Sequence, residues 1–212
     1  MIDKTVEYKD IIMVMDGPRA LATPQPTLPL GFSFRFFNGS EDIAHWCRIE
    51  ASVDEFDTIE DAHTHFQKEF GPHMSEVIKR CVFIVNDAGL PIATAMGWFS
   101  SGEITNRLHW IAVCPEYQGL GLGKAVSQKA VTVCVNLLPG KPIWLSTQTW
   151  SHRAVLMYHK LGFNMLKTKI KLSEGNSYAR DYNAAISVLE SVLPPADVQQ
   201  LRETVITKGL SR

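Results

Sequence analysis

The stretch HWIAVCPEYQGLGLGKAV, residues 109–126, constrains the fold of this chain more than any other. Its first half is apolar and β-branched, as in a buried strand, and its end begins a helical pattern. Between the two stand three glycines in five residues, at positions 119, 121 and 123. Inside regular structure a glycine costs about 0.5–1 kcal/mol relative to alanine, because it loses more conformational entropy on folding. Three together indicate that something approaches the backbone closely where the strand meets the helix.

The composition is that of an ordinary globular protein. Of the 212 residues, 45% are hydrophobic and 20% are charged, and the length suits one large domain or one domain with an appendage. A formal net charge of −1 lacks the basic footprint of a nucleic-acid binder. No apolar run reaches the ~18 residues of a membrane span, and the start MIDKTVEYKD lacks the features of a signal peptide. We expect a cytoplasmic protein that binds neither nucleic acid nor membrane.

No metal site is expected. The four cysteines show no Cys-x-x-Cys pair and no regular spacing, so they are expected to be reduced and buried; they are Cys47, Cys81, Cys114 and Cys134. His63 and His65 stand two residues apart, which places them on different faces of a helix. No cysteine or carboxylate pattern completes a ligand set around them, so both are expected on the surface.

The hydrophobic pattern before the glycines predicts five strands, two of which form a hairpin. The strands cover residues 11–15, 31–37, 81–85, 92–99 and 104–113, and the hairpin turn falls at 86–89. In the second strand, alternation places Phe32, Phe34 and Phe36 on one face. Four prolines within residues 18–29 predict a semi-extended connector, and not a packed element, between the first two strands.

Two helices are predicted between the second strand and the hairpin. Ser40 is the expected cap of the first, which has two acidic residues in its first turn, where they suit the positive end of the helix dipole. The second covers about residues 58–70, and Thr58 and Asp61 form an approximate capping box at its start.

After the glycines the pattern predicts alternating helices and strands. The elements are helices from 120 or 121 to 138 and over 151–161, strands over 142–147 and 163–172, and two helical segments from Tyr178 with Pro194-Pro195 at their junction. Gly162 is a suitable residue to end the second of these helices. The whole order predicts a mixed α/β protein, antiparallel first and then with a right-handed crossover.

Three nucleotide-binding motifs compete for the glycines, because the start of a helix favours phosphate through its free N–H groups and its dipole. A P-loop requires Ser or Thr after Gly-Lys, and here Ala125 follows Gly123 and Lys124. A dinucleotide fingerprint requires G-x-G-x-x-G, and its third glycine would be Lys124 or Val126. The third motif, Q/R-x-x-G-x-G/A, fits Gln118 to Gly123.

That third motif resembles the pyrophosphate-binding signature of the GNAT (general-control-related) N-acetyltransferase superfamily, and the preceding IAVCPEY is similar to the strand that leads into it. About 40 residues further on, SHRAVLMYHKLGF resembles the family's A-x-x-x-Y-x-x-x-G-F segment, with Ala154, Tyr158, Gly162 and Phe163 in register. The resemblance covers roughly residues 31–172.

The resemblance implies an acyl-CoA N-acyltransferase fold, with a central bulged and splayed mixed sheet flanked by helices. It divides the chain into an N-terminal strand and proline-rich connector (1–30), the N-acetyltransferase domain (31–172) and a C-terminal helical extension (173–212). The terminal segments either cap the acceptor pocket or form a homodimer contact, and their composition does not decide between these roles.

The resemblance also implies acetyl-CoA as co-substrate. Backbone groups of the bulged strand would pair with the pantetheine arm and the glycine loop would hold the pyrophosphate; the implied residues are Ile111, Ala112, Val113, Gln118, Gly119, Leu120, Gly121, Leu122, Gly123 and Lys124. Ser151 stands where the family often has an asparagine that bonds to the pantetheine arm. Serine is shorter and equally suits a helix N-cap, so both roles of Ser151 stay open.

Transfer of an acetyl group to an amine requires a neutral amine, a polarised carbonyl and a proton for the departing thiolate. The resemblance implies that Tyr158 donates that proton, as a phenol with its ordinary pKa of about 10 can do at neutral pH. His109 is a candidate base because imidazole titrates near neutrality, and alternation would place it on the same strand face as Ile111. Glu50, Asp54 and the absence of any dedicated base are the alternatives.

The leading hypothesis is a direct, ternary-complex transfer of acetyl from acetyl-CoA to a primary amine of a small molecule or peptide. Transfer of another acyl group, acetylation of oxygen, and a non-catalytic CoA sensor are the alternatives. Cys114 is expected to be inert packing and not an acyl carrier. The acceptor pocket is expected to draw on aromatic residues, namely Trp46, Phe56, Phe66, Phe32, Phe34 and Phe36.

Overall fold

The structure is a computed structural model that describes residues 2–99, 106–168, 170–173, 176–178 and 181–207. Its strands are β1 (Asp10–Met15), β2 (Phe32–Phe36), β3 (Cys81–Asn86), β4 (Pro91–Phe99), β5 (Asn106–Val113), β6 (Ile143–Gln148), β7 (Asn164–Met165), β8 (Ile170–Ser173) and β9 (Asn176–Tyr178). Its helices are α1 (Gly17–Leu21), α2 (Glu41–Ser52), α3 (Ile59–Glu69), α4 (Met74–Arg80), α5 (Leu122–Leu137), α6 (His152–Leu161), α7 (Tyr182–Val192) and α8 (Pro195–Glu203).

Seven strands form one sheet in the order β2-β3-β4-β5-β6-β1-β7, and β8 and β9 form a separate antiparallel pair. Within the sheet, β5 and β6 are parallel, whereas the pairs β2–β3, β3–β4, β1–β6 and β1–β7 are antiparallel. This mixed sheet, with helices along the chain between its strands, confirms the predicted α/β class. Residues 104 and 105 of the predicted fifth strand lie outside the described residues.

The chain divides into two compact units. The first comprises Pro24–Trp98 and Leu108–Cys134, and the second comprises Ile2–Thr23, Phe99–Arg107 and Val135–Arg212. Strand β5 therefore passes from the second unit to the first after Arg107, and helix α5 returns the chain to the second unit after Cys134.

In the first unit, Asp42 fixes the start of α2 to β2. Its carboxylate accepts two hydrogen bonds of 2.7 Å from the Arg35 guanidinium and one of 2.6 Å from the Asn38 N–H. Burial raises the pKa of Asp42, but these bonds outweigh it and the pKa is lowered. Ser40 precedes the helix as predicted, yet its side chain makes no capping bond. The predicted start of α2 after Ser40 is confirmed, but the prediction that the Ser40 side chain caps the helix is wrong.

In the second unit, β1 lies between β6 and β7. It pairs with β6 through six residue pairs, from Asp10–Gln148 to Met15–Ile143. The single predicted strand over 163–172 is wrong, because β7 holds two residues, Leu166 then bridges to Ile206, and the chain continues into the separate β8–β9 pair. Helix α6 ends at Gly162 as predicted, and that glycine has a φ of +118°, which favours glycine.

The predicted connector is partly helical. Asp16 caps the five-residue helix α1 by accepting a hydrogen bond of 2.8 Å from the Arg19 N–H, and Pro18 stands in its first turn, where proline is tolerated. Residues 23–29 have no regular structure, as predicted. Helix α4 was not predicted. No helix in the described parts of the chain is long and apolar enough to cross a membrane.

Strand β4 approaches helix α5 so closely that position 97 has no room for a side chain. A Cβ built on Gly97 would lie 2.8 Å from the Ala130 carbonyl oxygen and 3.0 Å from the Val133 Cγ1. A backbone oxygen cannot move away as a flexible side chain can, so any larger residue must push α5 outward.

We predict that Gly97→Ala lowers the free energy of unfolding by about 1–3 kcal/mol, the usual cost of overpacking. The matched control is Gly71→Ala, whose Cβ would meet only the movable Gln67 side-chain oxygen at 3.2 Å. That control should change stability by less than about 1 kcal/mol. Urea unfolding of both variants measures the difference, and equal midpoints would contradict the packing argument.

Candidate active site

Residues 119–124, which contain the three glycines and lead into α5, leave their backbone groups open in the first unit. We call this segment the glycine cradle. Gly119 and Gly121 have φ values of +83° and +81°, and no atom lies within 4 Å of where a Cβ would stand at either. The Ala125 N–H bonds to the Gly121 carbonyl at 3.1 Å. The N–H groups of the helix residues before it therefore have no acceptor inside the helix. This geometry fits an anionic group such as a pyrophosphate at the start of α5.

Gln118 ties the loop to the end of β5. Its side-chain amide donates a hydrogen bond of 2.9 Å to the Val113 carbonyl. The predicted cofactor-binding residues Ile111, Ala112, Val113, Gln118, Gly119, Leu120, Gly121, Leu122, Gly123 and Lys124 are thus contiguous in one unit, from the last part of β5 to the first turn of α5.

The irregular part of the connector lies beside this cradle. A cavity of about 300 Å³ is lined by Thr27, Leu28, Pro29, Leu120, Gly121, Lys124, Ala125 and Gln128. The Gln128 side chain donates a hydrogen bond of 3.5 Å to the Pro24 carbonyl and so holds the connector near α5. Sequence reasoning assigned the connector no contact with the glycine loop.

Strand β5 loses its regularity at Trp110, whose φ is +48°. Such a left-handed backbone is rare for a bulky residue and disturbs the alternation of side chains between the two faces of a sheet. Leu108 and His109 are both buried, whereas Trp110 and Ile111 are both half-buried. The prediction that His109 and Ile111 share a face assumed a regular strand, and that assumption is wrong.

Three N–H donors converge on the carboxylate of Glu69, the last residue of α3. The imidazole nitrogen Nε2 of His109 lies 2.6 Å from Oε1, and the His65 Nε2 lies 2.7 Å from Oε2. The Trp110 indole donates to Oε2 at 3.0 Å. Burial raises the pKa of Glu69, but the bonds from His109, His65 and Trp110 outweigh it and lower the pKa to about 2. Glu69 is therefore a fixed anion at neutral pH.

Glu69 was not among the predicted site residues. Its partners on β5 stand 40 and 41 residues away in sequence, and no motif joins them. One signal was available, because an acidic residue at the carboxyl end of a helix opposes the helix dipole. His65, predicted on the surface, is half-buried in this network.

Glu50, a predicted alternative base, has the opposite environment. Its side chain is fully buried on α2, and neither of its oxygens has a hydrogen-bond partner among the described residues. Burial, with a smaller contribution from Glu55, raises the pKa of Glu50 well above its ordinary value. Burial thus favours the neutral carboxyl over the ionised form that a base requires. This counts against Glu50 as the base.

An aromatic cluster surrounds the Glu69 network. Trp46 and Phe66 are fully buried and form core, whereas Phe56, His65 and Trp110 are half-buried. Phe56 stacks on Trp110 with ring centroids 5.3 Å apart. Trp110 also contacts His65 and Trp46 edge-on, at 4.9 Å and 5.4 Å, and the tilted ring of His109 at 5.3 Å. The accessible part of the cluster is therefore Phe56, His65 and Trp110.

Phe34 and Phe36 of β2 do not belong to this aromatic cluster. The Lys129 Nζ lies 5.6 Å from the Phe34 ring centroid and 5.7 Å from that of Phe36, so the predicted common face of β2 lies against α5. Phe37, one residue beyond, stacks on Phe66 instead. The prediction that Phe34 and Phe36 line the same pocket as Trp46 and Phe66 is wrong.

Cys114 directly follows β5 and is a buried thiol. Its Sγ lies 3.6 Å from the Arg48 guanidinium, and its N–H bonds to the Ile92 carbonyl at 2.9 Å. All four cysteines are free and buried, as predicted. Within the described residues, no group of three or more His, Cys, Asp or Glu side chains is arranged to hold a metal ion.

The second unit carries Tyr158 and Ser151. Tyr158 is buried on α6, with its ring edge-on to Phe163 at 6.3 Å. Ser151 precedes α6 without a capping bond, and its hydroxyl accepts a hydrogen bond of 3.3 Å from the Gln148 amide. Of the two roles left open for Ser151, the N-cap role therefore lacks its hydrogen bond.

Comparison with known proteins identifies a family. The model of the acetyltransferase (GNAT) family matches residues 42–163, more than half of the chain. The fold is similar to that of a GCN5-related N-acetyltransferase from Sphaerobacter thermophilus (18% identity, TM-score 0.59, 76% of this chain and 49% of that one). It is also similar to that of a GCN5-related N-acetyltransferase from Kribbella flavida (19% identity, TM-score 0.53, 74% of this chain and 54% of that one).

A third similar structure is a tandem GNAT protein from the clavulanic acid biosynthesis pathway (17% identity, TM-score 0.56, 76% of this chain and 51% of that one). The chain spans about half the length of each of these three proteins. Identities this low show a shared fold. No curated protein matches the sequence.

The raised pKa of Glu50 predicts that the stability of the fold depends on pH. Because its pKa is raised on folding, the native state binds more protons than the unfolded state above pH ~4.5. Stability is therefore lost as the pH rises above that value, by at most about 1.4 kcal/mol per pH unit. Glu50→Gln cannot titrate and should remove this decline.

The measurement is the difference in unfolding free energy between Glu50→Gln and the wild type at several pH values from 4 to 8. The unfolding free energy of Glu50→Gln minus that of the wild type should increase as the pH rises. Glu41→Gln, an exposed change on the same helix, is the control, and its difference in unfolding free energy should not grow with pH in favour of the variant. If the difference for Glu50→Gln also failed to grow with pH, folding would not raise the pKa of Glu50.

Proposed function

The chain belongs to the GNAT acetyltransferase family, and on that basis we propose that it transfers an acetyl group from acetyl-CoA directly to a primary amine. The acceptor is a small molecule or a peptide, the transfer takes place in a ternary complex, and the protein works in the cytoplasm. Neither nucleic acid nor membrane is a partner, and no metal takes part.

The glycine cradle is the observation that carries the proposal. Two glycines with positive φ leave the backbone of residues 119–124 open at the start of a 16-residue helix. Backbone N–H groups and the helix dipole there suit a pyrophosphate better than a neutral or cationic group. Residues 111–113 of β5 would hold the pantetheine arm through their backbone. When bound, acetyl-CoA supplies the activated acetyl thioester.

His109 is the base in this proposal. An amine acceptor is an ammonium ion at neutral pH, so it must lose a proton before it can attack a carbonyl carbon. His109 is favoured over Glu50 because the Glu69 carboxylate beside it stabilises an added proton, whereas burial raises the pKa of Glu50 and disfavours its ionised form. Tyr158 donates the proton that the departing sulfur needs, an assignment that comes from its register in the family segment.

Phe56, His65 and Trp110 provide the accessible aromatic surface near His109. We assign the acceptor to this surface. Its rings suit an amine with an apolar or aromatic body, and they can also interact with the cationic form of the amine before it loses its proton.

The direct test is thiol release from acetyl-CoA across a panel of amines and alcohols, for the wild type and Tyr158→Phe. We expect release with primary amines, and a rate for the variant that is 10²–10⁴-fold lower at nearly unchanged CoA affinity, because the ring stays and the proton donor is lost. Release only with alcohols, or only from another acyl-CoA, would identify one of the alternative reactions. CoA binding without any release would support the sensor alternative.

The cofactor assignment is tested by Gly121→Glu. A carboxylate in the cradle would occupy the place of the phosphates and repel them, so calorimetry should detect no CoA binding. Gly89→Glu is a closely matched control, because Gly89 also has a positive φ (+76°) and open space around its Cβ position but lies in the β3–β4 turn. Both variants carry the same backbone strain and charge. Equal CoA affinity in the two would contradict the assignment.

A further inference from the structure

Two locally unfavourable features meet at one hydrogen bond. Glu69 is the last residue of α3, where its negative charge faces the negative end of the helix dipole. Trp110 has a left-handed backbone inside β5, which is strained for a residue other than glycine. The Trp110 indole donates to Glu69 at 3.0 Å. Strain of this kind is kept where the surrounding structure requires it, and it is concentrated at functional sites.

The left-handed residue also explains how two neighbours on β5 reach the same carboxylate. In a regular strand, His109 and Trp110 would point to opposite faces of the sheet. Here both side chains contact Glu69, through Oε1 and Oε2 respectively. The break in β5 and the position of Glu69 therefore depend on each other.

We propose that Glu69 is a positioning residue, which holds the hydrogen of neutral His109 on Nε2 and ties the irregular segment of β5 to the end of α3. The inference rests on the proposed function, since His109 is the base in that reaction. Glu69 itself does not contact the reacting atoms.

The position of the His109 hydrogen follows from the charge of its partner. An ionised carboxylate can only accept hydrogen bonds, so the imidazole nitrogen 2.6 Å from Oε1 must carry a hydrogen. Neutral His109 then has its lone pair on Nδ1. A proton taken from the acceptor ammonium binds Nδ1, and the resulting imidazolium keeps its Nε2 hydrogen bond to the Glu69 anion. One N–H bond breaks on the amine and one forms on the imidazole.

The surroundings of the pair support this role. Among the described residues, the titratable groups hydrogen-bonded to Glu69 are His65 from its own helix and His109 from β5. The other rings packed against His109 and Trp110 include Phe56, Phe70 and Trp46, none of which carries a charge. Only 10% of the His109 side chain is exposed, so water screens its contact with the anion poorly.

The test compares Glu69→Gln, Trp110→Phe and the wild type. Glutamine keeps the shape but is neutral and offers both a donor and an acceptor, so it no longer fixes the His109 hydrogen. We expect kcat to fall about 100-fold, at the low end for loss of a general base. The acid limb of the kcat/KM profile should move about one pH unit lower, because the anion no longer favours the protonated imidazole.

Trp110→Phe removes the indole donor and leaves the Glu69 charge beside His109. Its acid limb should stay in place, while KM for acetyl-CoA rises about three- to tenfold, the equivalent of one lost hydrogen bond. Glu60→Gln, an exposed change in the first turn of α3, is the control for charge on this helix and should match the wild type. Thermal unfolding establishes that each variant is folded.

A spectroscopic measurement on the wild type without ligand completes the test. Long-range ¹H–¹⁵N spectra should show His109 with its hydrogen on Nε2; a hydrogen on Nδ1 alone would overturn the inference whatever the kinetics. A kcat and an acid limb that Glu69→Gln leaves unchanged would also overturn it. Absence of thiol release by the wild type contradicts the proposed function itself, so the two failures are distinguishable.

Discussion

The contact between the Trp110 indole and Glu69 determines the shape of the aromatic face of the first unit. Trp110 stacks on Phe56 and meets Trp46 and His65 edge-on, and these contacts require its ring to leave the regular path of β5. The cost of a left-handed tryptophan and that of an acid at a helix end are both offset by one set of charge-assisted hydrogen bonds. The residues after Trp110 then lead into the glycine cradle.

Glu50 and Glu69 show how position alone gives one residue type two opposite states. Both are on helices of the first unit, and both lose much of their contact with water. Glu69 receives three N–H donors, which lower its pKa, whereas Glu50 receives none from the described residues and burial raises its pKa. Acid and base roles are assigned by such differences in environment and not by residue type.

Features that depend on neighbouring residues could be predicted from the sequence. The glycine junction, the Thr58–Asp61 cap and the end of α6 at Gly162 each follow from a few consecutive residues, and each is present. The role of Glu69 could not be predicted, because it requires His109 and Trp110 to be brought to the end of α3 and the strand between them to be irregular. Helix α1 was not predicted because several prolines in this segment indicate an extended chain, whereas its only helix signal is the Asp16 cap.

The position of β1 has a consequence for how the chain folds. Asp10 pairs with Gln148 and Met15 with Ile143, so the earliest strand acquires its main partner more than a hundred residues later. In the first unit, by contrast, β3 and β4 follow one another directly. Contacts between distant residues form slowly because a long loop must be closed first. During synthesis on the ribosome, the hairpin of the first unit can therefore form before β6 has been made. Until then β1 has no β6 to pair with, although all but one of its residues are fully buried in the folded protein.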